Sequence, residues 1–261
     1  MNIASQEAYQ NYYFFFKICT LLRNLTKMNF QNKVIWITGA SSGIGKALAF
    51  ELSNQNALLI LSARNKEVLE SVKAECKNSE NVWILPLDLE KYHSFDISVE
   101  KAMSFFGRID ILVNNGGISQ RSFAKDTMIE IDKRIIDINY MGTIALTKAV
   151  LPHFLEKKQG HIVVTTSIVG KVGTPLRSSY AASKHALHGF FDSLRAEIYD
   201  DNIDVTLICP GYVTTNVSMN ALQGDGTPQQ TMDKATANGI KPERFVKLMA
   251  KGIRKKKQEV Y

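Results

Sequence analysis

Val34-Ile35-Trp36-Ile37-Thr38-Gly39-Ala40-Ser41-Ser42-Gly43-Ile44-Gly45, running on into Lys46-Ala47-Leu48-Ala49-Phe50-Glu51-Leu52, is the stretch that decides the fold. Its first five residues are apolar, β-branched or aromatic, and they end at a Gly/Ser cluster. That is the pattern of a short strand buried on both faces of a parallel sheet. The residues after the cluster alternate with helical spacing and predict an amphipathic helix. Glycines at such a junction let the chain turn tightly and let a ligand approach the backbone, while the helix start offers free N–H groups and positive potential to a pyrophosphate. The spacing departs from Gly-x-Gly-x-x-Gly, with three residues between the first two glycines. A tight turn without a ligand is the competing reading; three glycines with Thr38, Ser41 and Ser42 favour binding.

The same alternation of short apolar run and helix continues along the chain. Strands are expected at Ala57–Leu61, Val82–Leu85, Ile109–Val113, His161–Ser167 and Val205–Cys209, each followed by a helical pattern or a loop. This predicts an α/β fold, a doubly wound parallel sheet with helices on both faces in one domain. Open sheets of this kind place ligands at the carboxyl ends of their strands, so the residues there are the candidates for binding. At the end of the second strand stands Ser62-Ala63-Arg64-Asn65, with no acid to bond a ribose; an arginine there suits a 2′-phosphate. Asp88 follows the third strand, either capping the next helix or lying near an adenine. Asn114-Asn115-Gly116-Gly117 follows the fourth, and side-chain bonding to neighbouring backbone is the expected use of its amides. Thr127-Met128-Ile129-Glu130 fits a capping box opening one long helix through Asn139 to Leu155. Asparagine is a mediocre helix former, so Asn139 calls for an explanation, either a site role or a solvent-facing position. Ser167 ends the fifth strand, and Pro210-Gly211-Tyr212-Val213-Thr214-Thr215 follows the sixth. Residues 216–239 are polar with Gly224, Gly226 and Pro228, as in a substrate lid, with disorder as the alternative. His153, His185 and His188 lie on helices without metal-type spacing and are read as structural.

Composition bounds the rest. Of 261 residues 45% are hydrophobic and 22% charged, which excludes a disordered chain and fits one α/β domain. The net charge of +7 is scattered except for Arg254-Lys255-Lys256-Lys257, read as a solvated helix end, so a nucleic-acid partner is not expected. Cys19, Cys76 and Cys209 have no metal spacing and leave one unpaired, which points to a reducing, cytoplasmic setting. Residues 1–28 differ from the remainder. Their aromatic cluster Tyr12-Tyr13-Phe14-Phe15-Phe16 is flanked by Lys17, Arg23 and Lys27, too short and too charged to span a bilayer. The segment is read as an extension, poorly ordered or spurious, ahead of a domain at 29–261; peripheral membrane association through the aromatics is the alternative.

Ser178-Ser179-Tyr180-Ala181-Ala182-Ser183-Lys184 opens a predicted long helix. A spacing of four places Tyr180 and Lys184 one turn apart on one face. An unperturbed tyrosine ionises near pH 10, a poor acid or base at neutrality, and a neighbouring ammonium would favour the phenolate. The pair alone also fits a surface lysine beside a half-buried ring.

Together, Thr38-Gly39-x-x-x-Gly43-x-Gly45, Asn114-Asn115-x-Gly117, Asn139, Ser167, Tyr180-x-x-x-Lys184 and Pro210-Gly211 resemble the classical short-chain dehydrogenase/reductase family over residues 30–257. Ser62-Ala63-Arg64 and the stretch after Thr215 are similar to its branch of hydroxysteroid dehydrogenases and member-seven proteins. The resemblance implies a Rossmann sheet and an enzyme interconverting an alcohol and a ketone or aldehyde. It implies that Tyr180 passes the proton, Ser167 polarises the substrate oxygen, Lys184 tunes Tyr180 and holds the nicotinamide ribose, and Asn139 anchors a relaying water. It places the dinucleotide along Gly39, Ser41, Ser42, Gly43, Ile44, Gly45, Arg64, Asp88, Asn115, Gly117, Tyr180, Lys184, Pro210, Gly211, Val213 and Thr215, with NADP favoured over NAD through Arg64. No metal is implied. A small carbonyl or alcohol substrate and a homodimer or homotetramer are the usual partners in the family. A cofactor-binding protein without turnover, or a truncated inactive chain, is the alternative. Gly116 stands where the family has alanine, and the chain stops at Glu259-Val260-Tyr261, so the seventh strand is expected to be lacking or truncated.

Overall fold

The computed structural model describes residues 28–261. The extension therefore lies outside the described residues save for Met28, which packs against the core. Each buried apolar run forms a strand, and each amphipathic stretch a helix lying back on the sheet. In chain order these are β1 (Val34–Thr38), α1 (Gly43–Ser53), β2 (Leu58–Ser62), α2 (Lys66–Glu75), β3 (Val82–Ile84), α3 (Phe95–Phe106) and β4 (Ile111–Asn114). They continue with α4 (Ile129–Ile136), α5 (Gly142–Lys157), β5 (Gly160–Thr165), α6 (Ser178–Glu197), β6 (Ile203–Ile208), a one-turn α7 (Lys234–Ala237), α8 (Pro242–Arg254) and β7 (Glu259–Val260). The sheet runs β3-β2-β1-β4-β5-β6-β7, every neighbouring pair parallel. The order reverses between β1 and β4, where open sheets leave a ligand crevice.

Period-two alternation feeds two cores. Ile35, Ile37, Leu59, Leu61 and Val113 face α1, α2 and α8 through Leu48, Leu69 and Phe245. Val34, Trp36, Ile60, Leu112 and Val164 face α3, α5 and α6 through Phe95, Val150 and Phe191. Adjacent residues of one strand thus serve opposite layers, as a sheet covered on both faces requires.

The expectation of a missing seventh strand is overturned. After α8 the chain turns through Lys256 in the left-handed conformation (φ +51°), and Glu259 and Val260 pair in parallel with Leu207 and Ile208. Gly252 makes room for this strand, since a methyl on it would lie 2.3 Å from Val260 Cγ2. Part of the basic run is also structural rather than solvated: Lys256 pairs with Asp204 at 2.8 Å, and the Arg254 guanidinium lies 5.4 Å from the Phe30 ring centroid.

Two local expectations also change. The helix through Asn139 is not continuous, because Asp137–Met141 forms a π-helical turn between α4 and α5. The capping box does not form: the residue before α4 is Met128, and the Thr127 hydroxyl instead donates to Phe123 O (2.9 Å) and accepts from Gln120 Nε2 (3.1 Å). Residues 216–239 are folded, with Ala221 and Leu222 buried and Leu222 bridged to Gln120 and Pro228.

Candidate active site

The carboxyl ends of β1, β2, β4, β5 and β6 open into one cavity of about 730 Å³, within the range of roughly 300–1,000 Å³ typical of ligand pockets. Gly39 and Gly43 there have φ of +65° and +54°, a conformation open to glycine at little cost. A methyl on Gly45 would lie 2.2 Å from Gly39 O, so helix α1 can approach the β1 turn only through a glycine. Ser42 precedes α1 with extended backbone and makes no side-chain cap, leaving its hydroxyl uncommitted to the helix. Ser41, Ile44, Arg64, Asp88, Gly117, Pro210, Gly211, Val213 and Thr215 all line the same cavity. Arg64 is exposed at its edge, just before Asn65, whose side chain caps α2 by accepting from Val68 N at 2.8 Å. Asp88 caps no helix; it opens a turn by accepting from Glu90 N at 3.1 Å.

The two asparagines after β4 tie strand ends together. Asn115 donates to Thr38 O (3.2 Å) and accepts from the Thr165 hydroxyl (3.2 Å), joining β1, β4 and β5, while Asn114 donates to Thr147 Oγ1 at 2.9 Å. At Gly116, the departure from the family pattern, the Leu89 side chain packs into the space a methyl would take, its Cδ1 2.6 Å from that position.

Ser167 and Tyr180 line the cavity together, from either end of the loop between β5 and α6. The Tyr180 hydroxyl is not acidic here: burial pushes it up, opposed by the Ser167 bond and then by the charges of Arg121 and Arg177. Lys184 is only 5% exposed, its ammonium 2.8 Å from Thr165 O and 5.8 Å from the Tyr180 ring centroid. Burial lowers its pKa to about 8. Beside the expected effect of the lysine on the tyrosine, the half-buried Tyr180 and the buried Lys184 are each pushed towards their neutral forms.

Asn139 is fully buried, against the solvent-facing alternative. Its Oδ1 accepts from Ile118 N (2.8 Å), and its Nδ2 donates to Ile118 O (2.9 Å) and Ser183 Oγ (3.1 Å). The side chain thus pins the loop after β4 to the second turn of α6. A methyl on Gly117 would lie 2.9 Å from Asn139 Oδ1 and 3.7 Å from Lys184 Nζ, so this glycine keeps the space between them open.

Three residues escaped the reading of the sequence. Gln120 Oε1 accepts from Ser179 N (2.9 Å) and Tyr180 N (3.2 Å), fixing the head of α6 from a distant loop. Arg121 and Arg177 line the cavity beside Tyr180. No spacing rule marks any of them, because each reaches its partner through tertiary folding. Of the three histidines, His188 does meet Cys209 and Glu259, the ligand-type atoms lying within 4.8 Å of one another. Lys171 already supplies the cation there, 2.6 Å from Glu259 Oε1. Cys76 and Cys209 are buried and unpaired. Among the described residues no helix is long and apolar enough to cross a membrane.

A family model described as short chain dehydrogenase matches residues 33–226. The "Dehydrogenase/reductase SDR family protein 7-like" of Anopheles gambiae is 44% identical over 253 residues, covering 94% of this chain and 79% of that protein. Human "Dehydrogenase/reductase SDR family member 7" is 44% identical over 234 residues, covering 87% and 69%. Among solved structures, levodione reductase superposes with a TM-score of 0.77 at 25% identity, covering 86% of this chain and 91% of that one. On these matches the chain belongs to the classical short-chain dehydrogenase/reductase family, with relatives among its member-7 proteins.

Proposed function

We propose that the protein interconverts an alcohol and a ketone or aldehyde with NADP(H), Tyr180 serving as general acid and base. The observation that carries this reading is that Tyr180, Ser167 and Lys184 line the same cavity as the glycine turn, with the Lys184 ammonium 5.8 Å from the Tyr180 ring centroid. The cavity suits a dinucleotide: Gly39, Gly43 and Gly45 leave backbone where side chains would intrude, and the first turn of α1 carries no acidic residue. When bound, the cofactor supplies or accepts the hydride.

Ser41, Ser42, Ile44 and the glycines would hold the pyrophosphate, and Asp88 would flank the adenine side. Pro210, Gly211, Val213 and Thr215 would line the nicotinamide side. Arg64 favours NADP, because a guanidinium matches a phosphate bidentately and no acid at the end of β2 competes. In reduction, Tyr180 releases its hydroxyl proton to the substrate oxygen while Ser167 donates a hydrogen bond to the same oxygen. Lys184, its pKa lowered by burial to about 8, is suited to return a proton towards Tyr180. The Asn139 side chain, fully bonded, acts by positioning; any relaying water would sit in the space beside Gly117.

Thermal unfolding with NADPH and with NADH, together with turnover on a panel of ketones, tests the proposal. NADPH should raise the midpoint more than NADH, Arg64→Asp should remove that preference, and Tyr180→Phe should abolish turnover while keeping the NADPH shift. Turnover surviving in Tyr180→Phe would remove the tyrosine from the mechanism. Cofactor binding with no turnover on any ketone would favour a binding protein without catalysis.

A further inference from the structure

The wall of the cavity beside Tyr180 carries more positive charge than its acids neutralise. Arg121 donates from Nε (2.9 Å) and Nη2 (2.6 Å) to Asp233 Oδ2, and from Nη1 to Ser119 Oγ (2.9 Å) and Gln120 O (2.5 Å). Its guanidinium is spent. Arg177 reaches the same Asp233 oxygen only at 3.5 Å, and Thr174 Oγ1 and Pro175 O only at 3.4 Å each. Two arginine side chains, 7% and 16% exposed, therefore share one carboxylate. Asp132, which accepts from the Ser179 hydroxyl near this helix start, is not among the residues that line the cavity. The first N–H groups of α6 are answered by Gln120, so the unmatched charge at this wall belongs to the Arg177 side chain.

The backbone shows that Arg177 is held there at a cost. Leu176 immediately before it has φ +66°, a left-handed conformation unfavourable for a leucine. Ser122 fixes it, donating its N–H to Leu176 O at 3.1 Å. Burial and the Arg121 charge both press the Arg177 guanidinium below the usual arginine range, the state of a cation short of partners. Nearby on the lining are Ile118, Val217 and Leu222, which offer apolar surface.

We infer that the substrate bears an anionic group, a carboxylate or a phosphate, on an apolar body, and that Arg177 pairs with this anion while the reacting oxygen meets Tyr180 and Ser167. The inference rests on the proposed hydride-transfer role of the site and narrows its substrate to acidic carbonyl compounds or hydroxy acids. Asp233 holds the two guanidiniums in place and leaves the outer one under-bonded, ready for a bidentate partner.

The test compares straight-chain oxo acids, from 4-oxopentanoate to 10-oxoundecanoate, with their methyl esters, and oxoalkyl phosphates with the parent oxo alcohols. The ratio of kcat/KM for the charged over the neutral member of each pair is the readout. For the best chain length the ratio should be about ten- to a hundredfold, carried mainly in KM, and should fall as salt is raised. Arg177→Gln should bring it close to one, and Arg177→Lys should restore part of it. Whichever series gives the larger ratio identifies the anion as carboxylate or phosphate. A ratio near one in the wild type, or one unchanged in Arg177→Gln, overturns the inference. Calorimetric binding of the same pairs to the NADPH-loaded protein reads the anion site without turnover. Acid-selective binding with no turnover would overturn the hydride-transfer reading and keep the anion site; turnover of esters and acids alike would do the reverse. An NADPH-induced midpoint shift in each variant establishes that it is folded.

Discussion

Replacing Lys184 with methionine should make the cofactor-free protein more stable at neutral pH while abolishing its activity. The Lys184 pKa falls from its ordinary 10.5 to about 8 because the ammonium is buried, and a displacement of that size corresponds to about 3 kcal/mol carried by the charged form. Methionine fills a similar volume without the charge. It forfeits the 2.8 Å bond from the charged ammonium to Thr165 O, a loss of about 2 kcal/mol, so the net gain at pH 7 is about 1 kcal/mol. The sign with pH follows from proton counting. Below about pH 8 the lysine is charged in folded and unfolded chains alike, and the folded state bears the whole burial cost. Between about 8 and 10.5 the unfolded chain keeps a proton that the folded one has lost, so wild-type stability gains on the variant as pH rises. The methionine advantage should therefore shrink above pH 8 and end as a deficit. Urea unfolding of both proteins at steps from about pH 6.5 to 10 measures the difference, with turnover assayed in parallel. A variant less stable than wild type at pH 7, or a stability difference independent of pH, would refute the reasoning.

Asn139→Ala should cost about 1–3 kcal/mol, because it leaves the N–H and carbonyl of Ile118 without their partner in a part-buried loop; denaturant unfolding checks it, and a loss below about 0.5 kcal/mol would show that the loop re-pairs. Gly45→Ala puts a methyl 2.2 Å from Gly39 O, which should cost about 1–3 kcal/mol and remove the midpoint shift with NADPH. Gly252→Ala puts a methyl 2.3 Å from Val260 Cγ2. It should lift β7 from β6, seen as faster amide exchange at Leu207 and Cys209, whose N–H groups bond Gln258 O and Val260 O.

How far the sequence could be read depended on the range of each signal. The β1 turn was legible because strand alternation, glycines and helix start all lie within a dozen residues and answer to local rules. Tyr180 and Lys184 were legible for the same reason, one turn of helix apart. The π turn at Asp137–Met141 was not, since a single i→i+5 turn leaves no compositional mark, yet it sits where Asn139 enters the site. The β7 strand escaped because two residues are too short to show alternation; it depends on a left-handed turn at Lys256 and on the space left by Gly252. The Thr127 capping box failed because the Thr127 hydroxyl had better partners in Phe123 and Gln120, which no local pattern reveals.

The largest gap concerned electrostatics, and it changes how the site is understood. From sequence, the only cation assigned to Tyr180 was Lys184, one turn away. In the folded chain the charges that oppose the burial of the Tyr180 hydroxyl come from Arg121 and Arg177, and Lys184 is itself weakened by burial. Arg121 meets Asp233 across 112 positions of sequence, so this field is a product of topology: the loop after β4 and the segment after β6 must both fold over the head of α6 to create it. An anion bound at Arg177 would reduce that field. Its arrival would move the Tyr180 pKa upward and strengthen the hold of the phenol on its proton, whereas a neutral substrate would leave the field intact. The pH profile of kcat should therefore have its tyrosine limb at higher pH with an oxo acid than with its ester, and coincident limbs would show that the anion does not reach Arg177.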